Sequence, residues 1–526
     1  MDLFNFLIVG SGPSGMAVAR ILEKRGTCLV DAGDLPQAQF PYASLTEAAA
    51  SGDFSALMGE HWEALANIRD PHAVHTKMKS QALRFIASGE PVEVYGDSET
   101  ILLKVAGSYA AGGMSNTWGA QLVRYTDADL DKAGDWPLEV SALSPYYADL
   151  EEHIGIAGAV DDMYDFLGEV HGLLSPPPLV PCAQYLLARY ESAKKTALES
   201  MLLGRPRLGL LTTKYKGYEP YKFCETEFFT SGQSGIYTAK RTLDDLRQKN
   251  NMVFYERHKL LSYTENEDHV AATVLDCKRN EKITIKAHHL LLGCGTLHTA
   301  RLVLLNRGET GRTLPFIDHP PTLVPIFFPR MFGSILPSRS FPVQLAATLK
   351  ESPTRELISL YYPGAVLWSD LLPETPLPVS SALRLFKNMF GGMLVAQIWE
   401  TSTPQKANVL ELDDSGALRI RYPDYNKYTN LKKLLKIFRR LGGWSLQRFA
   451  SMPMPGRGFH YAGSLPMKDA PEPYQTHTDG RLWDSRRVYI IDAAALPSLP
   501  AKNHSLTMMA NAARIADRIL QCECSY

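Results

Sequence analysis

The chain has little cysteine for its length: seven residues (Cys28, Cys182, Cys224, Cys277, Cys294, Cys522, Cys524) among 526. A scattered, odd-numbered set of that density does not make a disulfide framework, and it fits a reducing compartment. Cys522 and Cys524 are too close in sequence for ordinary metal-site spacing, and no metal site is expected. Neither sign of charge is in excess. With 55 Lys and Arg against 56 Asp and Glu, the net charge of -1 supplies no global field for capturing nucleic acid or an anionic membrane surface. Long apolar runs are missing too. The most apolar tract, "TLVPIFFPRMFGSILP" from Thr322 to Pro337, is interrupted by prolines and Arg330 and is too short to span a bilayer. Only Met1 to Asn5 precede the first strand pattern, which leaves no room for a signal peptide. These absences set the expectations: no nucleic-acid partner, no transmembrane segment, a cytoplasmic location. Internal repeats and low-complexity tracts are absent as well.

What is present is ordinary for a folded enzyme: 45% apolar and 21% charged residues, over a length about three times that of a typical domain. The chemistry begins at once. "FNFLIVGSGPSGMAVARILEKRGTCLVDAG" reads as strand (Phe4 to Val9), glycine turn, helix and second strand (Thr27 to Val30), a βαβ unit. Gly10, Gly12 and Gly15 form G-x-G-x-x-G, with Pro13 and Ser14 at the helix start. The first glycine permits the turn, the second lets backbone approach a pyrophosphate and the third lets the helix pack on the strand. Asp31, at the end of the second strand, could accept hydrogen bonds from ribose hydroxyls. Together they indicate a dinucleotide.

Two later segments add to the same sheet. "AHHLLLGCGTLHTARLVLLNRG" places a strand (His289 to Leu292) before Gly293 and Gly295 and then a helix. "RRVYIIDAAALPSLPAKNHSLTMMANAARIADRIL" gives another strand, Val488 to Ile491, an acid at Asp492, a Pro-rich loop and a long final helix. This set of blocks resembles the glucose–methanol–choline (GMC) oxidoreductase family, flavoproteins that oxidise alcohols. The resemblance implies FAD rather than a nicotinamide dinucleotide. "GGMSNTWGAQ", Gly112 to Gln121, is similar to the family's flavin-contacting loop, most closely to its pyranose-oxidase-like branch. Gly112 and Gly113 would let backbone N–H groups approach the ring, and Ser115, Asn116 and Thr117 could hydrogen-bond there. Where that branch binds flavin covalently a His holds the place of Thr117. Thr cannot form the bond, so FAD is expected to be non-covalent.

"GFHYAGSLPM", Gly458 to Met467, matches the family's H-x-x-G-[ST]-x-x-M and maps the active-site histidine onto His460. A base poised near neutral pH suits removal of a hydroxyl proton while hydride leaves the adjacent carbon. The resemblance places a second group, His or Asn, in the loop before the last helix, where "PAKNHSLTMM" offers Asn503 and His504. Asn503 is preferred, and either could stabilise a developing alkoxide. The expected reaction is FAD-dependent oxidation of CH–OH to C=O, with oxygen, a quinone or a carrier protein as electron acceptor. A sugar, aminosugar or cyclitol is the expected substrate, and the alternatives are an apolar or sterol-like alcohol or a non-redox lyase that retains FAD.

The expected fold is α/β: a discontinuous Rossmann-like FAD domain (1–150, 205–320, 450–526) with an inserted α+β substrate domain and access loops (151–204, 321–449). Six short apolar or alternating runs between Thr322 and Tyr422 predict an antiparallel sheet, including a hairpin around Asp413 to Gly416. Gln344, Tyr361 and Gln397 are its polar candidates for the site, although alternation alone does not say which faces inward. Leu431, Leu434, Leu435, Phe438 and Leu441 are spaced as one helix face. The lysines and arginines off that stripe read as a solvated side.

Overall fold

The computed structural model describes residues 3–33, 50–51, 92–95, 100–103, 107–194, 200–223, 235–335, 340–350, 355–363, 377–423, 428–452 and 458–523. Cys224, Cys524, Pro337 and the stretch 224–234 lie outside these residues. The strands are β1 (Leu3–Val9), β2 (Thr27–Asp31), β3 (Val92–Tyr95), β4 (Thr100–Leu103), β5 (Met201–Gly204), β6 (Val253–Glu256), β7 (His258–Glu265), β8 (Val270–Asp276) and β9 (Glu281–Leu292). They continue with β10 (Leu314–Pro315), β11 (Thr322–Phe327), β12 (Val343–Leu349), β13 (Leu357–Tyr361), β14 (Met393–Trp399), β15 (Val409–Leu412), β16 (Leu418–Arg421) and β17 (Val488–Ile490).

The first sheet runs β6-β2-β1-β9-β8-β7, with β17 paired to the C-terminal end of β9. β6, β2, β1, β9 and β17 are parallel, whereas β7, β8 and β9 form an antiparallel extension. Phe6, Leu7 and Ile8 in β1 are fully buried because parallel strands have both faces covered. One face packs against the helices Pro13–Leu22, Ser144–Ile154, Ala239–Lys249 and Ser505–Glu523. The register aligns Val9 with Val30 and Leu292, and Leu292 with Ile490. The carboxyl ends of four parallel strands therefore finish together, where ligands of open α/β sheets bind.

A second five-stranded sheet, β11-β14-β13-β12-β5, is antiparallel throughout. Helices Pro181–Lys194 and Leu431–Arg440 cover one of its faces. Of the apolar stripe read from spacing, Leu431, Leu434, Phe438 and Leu441 are buried and Leu435 is partly buried, and Ile437, not read as part of it, is buried as well. Four of the six apolar runs build this sheet. The hairpin β15–β16 does not. It forms, with its turn at Asp413–Gly416, but β16 pairs in parallel with β3 in a third sheet, β10-β15-β16-β3-β4. Leu410, Leu412, Leu418 and Ile420 are buried with Leu297, Ala300 and Val303 of the helix following β9. Alternation fixed which face of the hairpin is apolar and left open which sheet it would join. Among the described residues no helix is long and apolar enough to cross a membrane.

Candidate active site

The glycine turns after β1 and β9 lie against each other. Gly10 has φ +99°, and a Cβ there would come within 2.4 Å of the Gly293 carbonyl oxygen, so only glycine fits. Gly15 is equally constrained, because its Cβ would meet the Gly10 carbonyl oxygen at 1.9 Å. Gly12 and Gly295 differ: nothing stands within 4 Å of a Cβ built on either, and both line an open space. The Asp31 carboxylate accepts hydrogen bonds from the backbone N–H groups of Ser11 (2.6 Å) and Gly33 (2.8 Å), which ties the end of β2 to the glycine turn. Burial raises its pKa, and those hydrogen bonds pull the other way.

Asp492 serves the second turn in the same manner. It accepts from Gly295 N–H (2.9 Å), Ala494 N–H (2.9 Å) and Thr299 Oγ1 (2.5 Å), and burial pushes its pKa up to about 6. Thr299 was not singled out from sequence. It stands one helical turn after Gly295, a spacing that could have flagged it.

The loop Gly112 to Gln121 contains a short 3₁₀ turn, Gly113–Thr117. Gly112 N–H donates to Ser11 Oγ (2.9 Å), and a Cβ on Gly113 would lie 3.4 Å from Gly12 Cα, so the loop touches the first glycine turn. Ser115 Oγ donates to the Gly112 carbonyl and accepts from Ala239 N–H. Asn116 donates to the carbonyls of Ala111 and Gly113, while its buried Oδ1 has no partner. These two side chains spend most of their hydrogen-bonding capacity shaping the loop. Thr117 donates to the Met114 carbonyl (3.2 Å).

One continuous cavity of about 510 Å³ connects these pieces. Gly10, Gly12, Pro13, Ser14 and Asp31 line one end, Gly113, Ser115, Asn116, Thr117, Gly293, Gly295 and Asp492 lie along it, and His460, Asn503 and His504 line it too. Gly15 and Gly112 are set back and act by permitting close packing. Among the described residues no Lys, Arg or Glu lines the cavity.

His460 stacks on Trp399, with ring centroids 4.4 Å apart and planes at 16°. His504 meets it edge-on at 4.9 Å and His319 lies 5.8 Å away. Burial lowers the pKa of all three: His460 falls well below the usual value, His504 to about 4 and His319 to about 3. For His460 the neighbouring imidazoles add to the effect. His319 hydrogen-bonds the Glu400 carbonyl through Nε2, which makes that nitrogen the donor, and its buried Nδ1 has no partner. The Nδ1 atoms of His460 and His504 and Oδ1 of Asn503 are likewise buried without a partner among the described residues. His460, Asn503 and His504 line the cavity and His319 stands behind them, and unsatisfied polar atoms gathered at one cavity mark a place built for a ligand.

Asn503 and His504 are held from behind. Lys502, fully buried, donates from Nζ to the Asp129 carboxylate and to the Arg124 carbonyl (3.2 Å). His504 immediately precedes the final helix. The positive end of that helix opposes protonation of His504, in the same direction as burial. Of the polar candidates on the second sheet, Tyr361 and Gln397 line the cavity and Gln344 does not. Gln344 accepts from Val180 N–H and donates to Ser340 Oγ, fixing the Pro-rich connector, Leu173 to Val180, that leads into the helix Pro181–Lys194. Sequence reasoning missed His319, in "IDHPP", and Trp399, because only the fold brings β14 and that turn beside His460.

The GMC oxidoreductase family model matches residues 445–512, the segment that contains His460, Asn503 and His504. No curated protein matches the sequence significantly. Among solved structures, pyridoxine 4-oxidase from Mesorbium loti is similar at 14% identity and a TM-score of 0.61, over 98% of this chain and 99% of that one. A formate oxidase of Aspergillus oryzae RIB40, a variant studied for its effect on FAD modification, is similar at 13% identity and 0.62, over 100% and 99%. At such identities the structures establish a shared fold. The chain is thus similar to the GMC oxidoreductase family in its C-terminal segment, 445–512, and shares the fold of these two oxidases over its whole length.

Proposed function

We propose that the protein is an FAD-dependent alcohol oxidoreductase acting on CH–OH groups. The observation that carries this reading is the continuous cavity from the glycine turns and Asp31 to His460, Asn503 and His504. The residues present fit the cofactor. Gly12 and Gly295 leave open space where a diphosphate needs backbone approach, and Asp31 at the far end keeps lone pairs for ribose hydroxyls. Gly113, Met114 and Thr117 would lie along the isoalloxazine, and Thr117 offers no nucleophilic nitrogen, so FAD would be held non-covalently. Yellow colour that stays with an acid-precipitated pellet would overturn that last point.

When bound, FAD supplies a two-electron acceptor for the hydrogen leaving the carbinol carbon. The chain supplies the rest. A neutral imidazole nitrogen of His460 takes the hydroxyl proton, and its stacking on Trp399 fixes the ring plane toward the cavity. Asn503, or His504 in its place, donates a hydrogen bond to the substrate oxygen as it becomes alkoxide-like, a contribution of roughly 2 to 4 kcal/mol by analogy with oxyanion donors. We divide the chain as 1–150, 205–320 and 450–526 for FAD binding and 151–204 and 321–449 for the substrate, with the hairpin β15–β16 packing back on the first part. The free cysteines fit a cytoplasmic site of action.

Two substrate classes have specific support. The Gly112–Gln121 loop, with its pyranose-oxidase-like pattern, favours a sugar, aminosugar or cyclitol. Leu323, Phe341, Val343, Val395 and Trp399 around the cavity, and the absence of Lys, Arg and Glu from its described lining, favour an uncharged apolar alcohol. Anaerobic mixing of the yellow protein with both classes tests the proposal. Flavin bleaching by either establishes alcohol oxidation and names the class. Readmitted air then identifies oxygen as acceptor, or leaves a quinone or carrier protein. Flavin that stays oxidised with every alcohol while a cyanohydrin-type adduct turns over would favour the non-redox lyase. Asn503→Ala and His504→Ala separate the two candidates: the true partner slows bleaching far more than its neighbour, with FAD still bound.

A further inference from the structure

Three segments meet at one end of the second sheet: 329–335 after β11, the helix Val379–Met389 with the turn Phe390–Gly392, and the helix Leu431–Arg440 with its following loop to 452. Gly333 N–H donates to the Asn388 carbonyl (2.8 Å) and Phe328 N–H to the Gly392 carbonyl (2.7 Å). Phe327 and Trp444 exchange backbone hydrogen bonds (2.8 and 2.7 Å), and their rings lie 6.4 Å apart.

This end of the molecule is apolar and basic at once. Ten large apolar side chains are exposed among the described residues; four of them, Phe332, Ile335, Leu385 and Trp444, belong to these segments, and a fifth, Leu377, stands two residues before the helix Val379–Met389. Ile335 is 86% exposed and the other four more than 40%. The described residues of the three segments contain nine Lys and Arg and no Asp or Glu, in a chain whose charges otherwise balance. Arg330, Arg384, Lys387, Arg439, Arg440 and Arg448 are exposed, and none forms an ion pair with a described residue. The basic helix side that reads from sequence as merely solvated thus belongs to a larger one-signed surface with an apolar crest.

We propose that this surface docks the protein on an anionic lipid bilayer. Protruding Ile, Phe, Leu and Trp side chains can enter the headgroup and acyl boundary, while long basic side chains remain at the phosphates. Each cation near an anionic leaflet adds attraction that fades within a Debye length. A nucleic acid would meet the same cations but has no place for a crest of aliphatic side chains, which is why the lipid reading is chosen. The surface is connected to the cavity by β11. Leu323 lines the cavity, and Leu323, Pro325 and Phe327 alternate onto one half-buried face, so the docking end stands about 13 Å away along the strand. The docking itself does not depend on the proposed reaction.

The test is co-sedimentation of the full chain with phosphatidylcholine vesicles, with and without phosphatidylserine. Binding at least tenfold stronger to the phosphatidylserine vesicles is expected, and it should be lost on raising salt from about 0.1 to about 1 M. Arg439→Glu with Arg440→Glu should weaken it at least tenfold, with unchanged thermal melting because both side chains are exposed, and Ile335→Asp with Trp444→Ser should do the same in a protein that circular dichroism shows to be folded. Failure to bind phosphatidylserine vesicles, equal binding to pure phosphatidylcholine, or binding insensitive to either pair of substitutions overturns the proposal. So does a preference for a DNA duplex or an acidic peptide over the vesicles.

Discussion

If His460 takes the substrate proton, acid should fail to switch the reaction off where it would disable an ordinary histidine. An unperturbed imidazole with a pKa near 6.5 is only about one-tenth neutral at pH 5.5, so a base of that kind would lose about tenfold in rate between pH 7.5 and 5.5. His460 is enclosed by Trp399, His504 and His319, with ring centroids 4.4 to 5.8 Å away, and its pKa lies well below 6.5. It stays neutral through that range, and the expected change in the bleaching rate is less than twofold. Stability bounds the assay. His504 has a folded pKa of about 4, below the unfolded value, so the unfolded chain binds more protons between those pH values. Stability complete above about pH 6.5 is therefore lost as pH falls toward 4, about 3 kcal/mol from His504 alone, with less than half gone at pH 5.5. Stopped-flow measurement of anaerobic flavin bleaching under limiting alcohol, at pH 5.5, 6.5 and 7.5, with circular dichroism to confirm folding, decides the matter. A tenfold fall with a midpoint near 6.5 in a folded protein would refute the neutral-histidine argument.

The glycine turn offers a paired test. Gly12→Ala, with φ of -64° and open space at its Cβ, should leave apoprotein stability within about 1 kcal/mol while weakening FAD binding at least tenfold by titration. Gly15→Ala forces a Cβ into the Gly10 carbonyl and should cost about 1 to 3 kcal/mol of apoprotein stability in urea denaturation; the reverse pattern would undo both assignments. Lys502→Met leaves the buried Asp129 with Arg355 at 3.5 Å as its remaining basic partner, and should destabilise the protein by about 3 kcal/mol. A loss under about 1 kcal/mol in the same urea assay would contradict the buried pair. Tyr361 ends a chain in which Ser359 donates to Gln121 (2.8 Å) and Gln121 donates to the Tyr361 hydroxyl (2.7 Å), leaving the Tyr361 proton for the cavity. Tyr361→Phe should lower kcat/KM about tenfold for alcohols carrying a second acceptor group. No change for purely hydrocarbon alcohols is expected, and equal losses for both would reject the donor role.

The sequence by itself determined the local devices. A glycine that must sit at φ +99°, an acid closing a parallel strand and an apolar stripe at helical spacing are each dictated within a few residues. The β1 turn, Asp31, Asp492, the Asp413–Gly416 hairpin turn and the Leu431–Arg440 helix were accordingly legible. Only the tertiary structure decided which of these meet. It moved the hairpin β15–β16 to the third sheet, turned Gln344 toward the connector and Tyr361 toward the cavity, and set Trp399 and His319 around His460. It also gathered Phe332, Ile335 and Trp444 with basic residues from three segments into one surface. Register and partner choice depend on complementary surfaces far apart in the chain, and a strand's alternation records that one side is apolar without naming what will cover it.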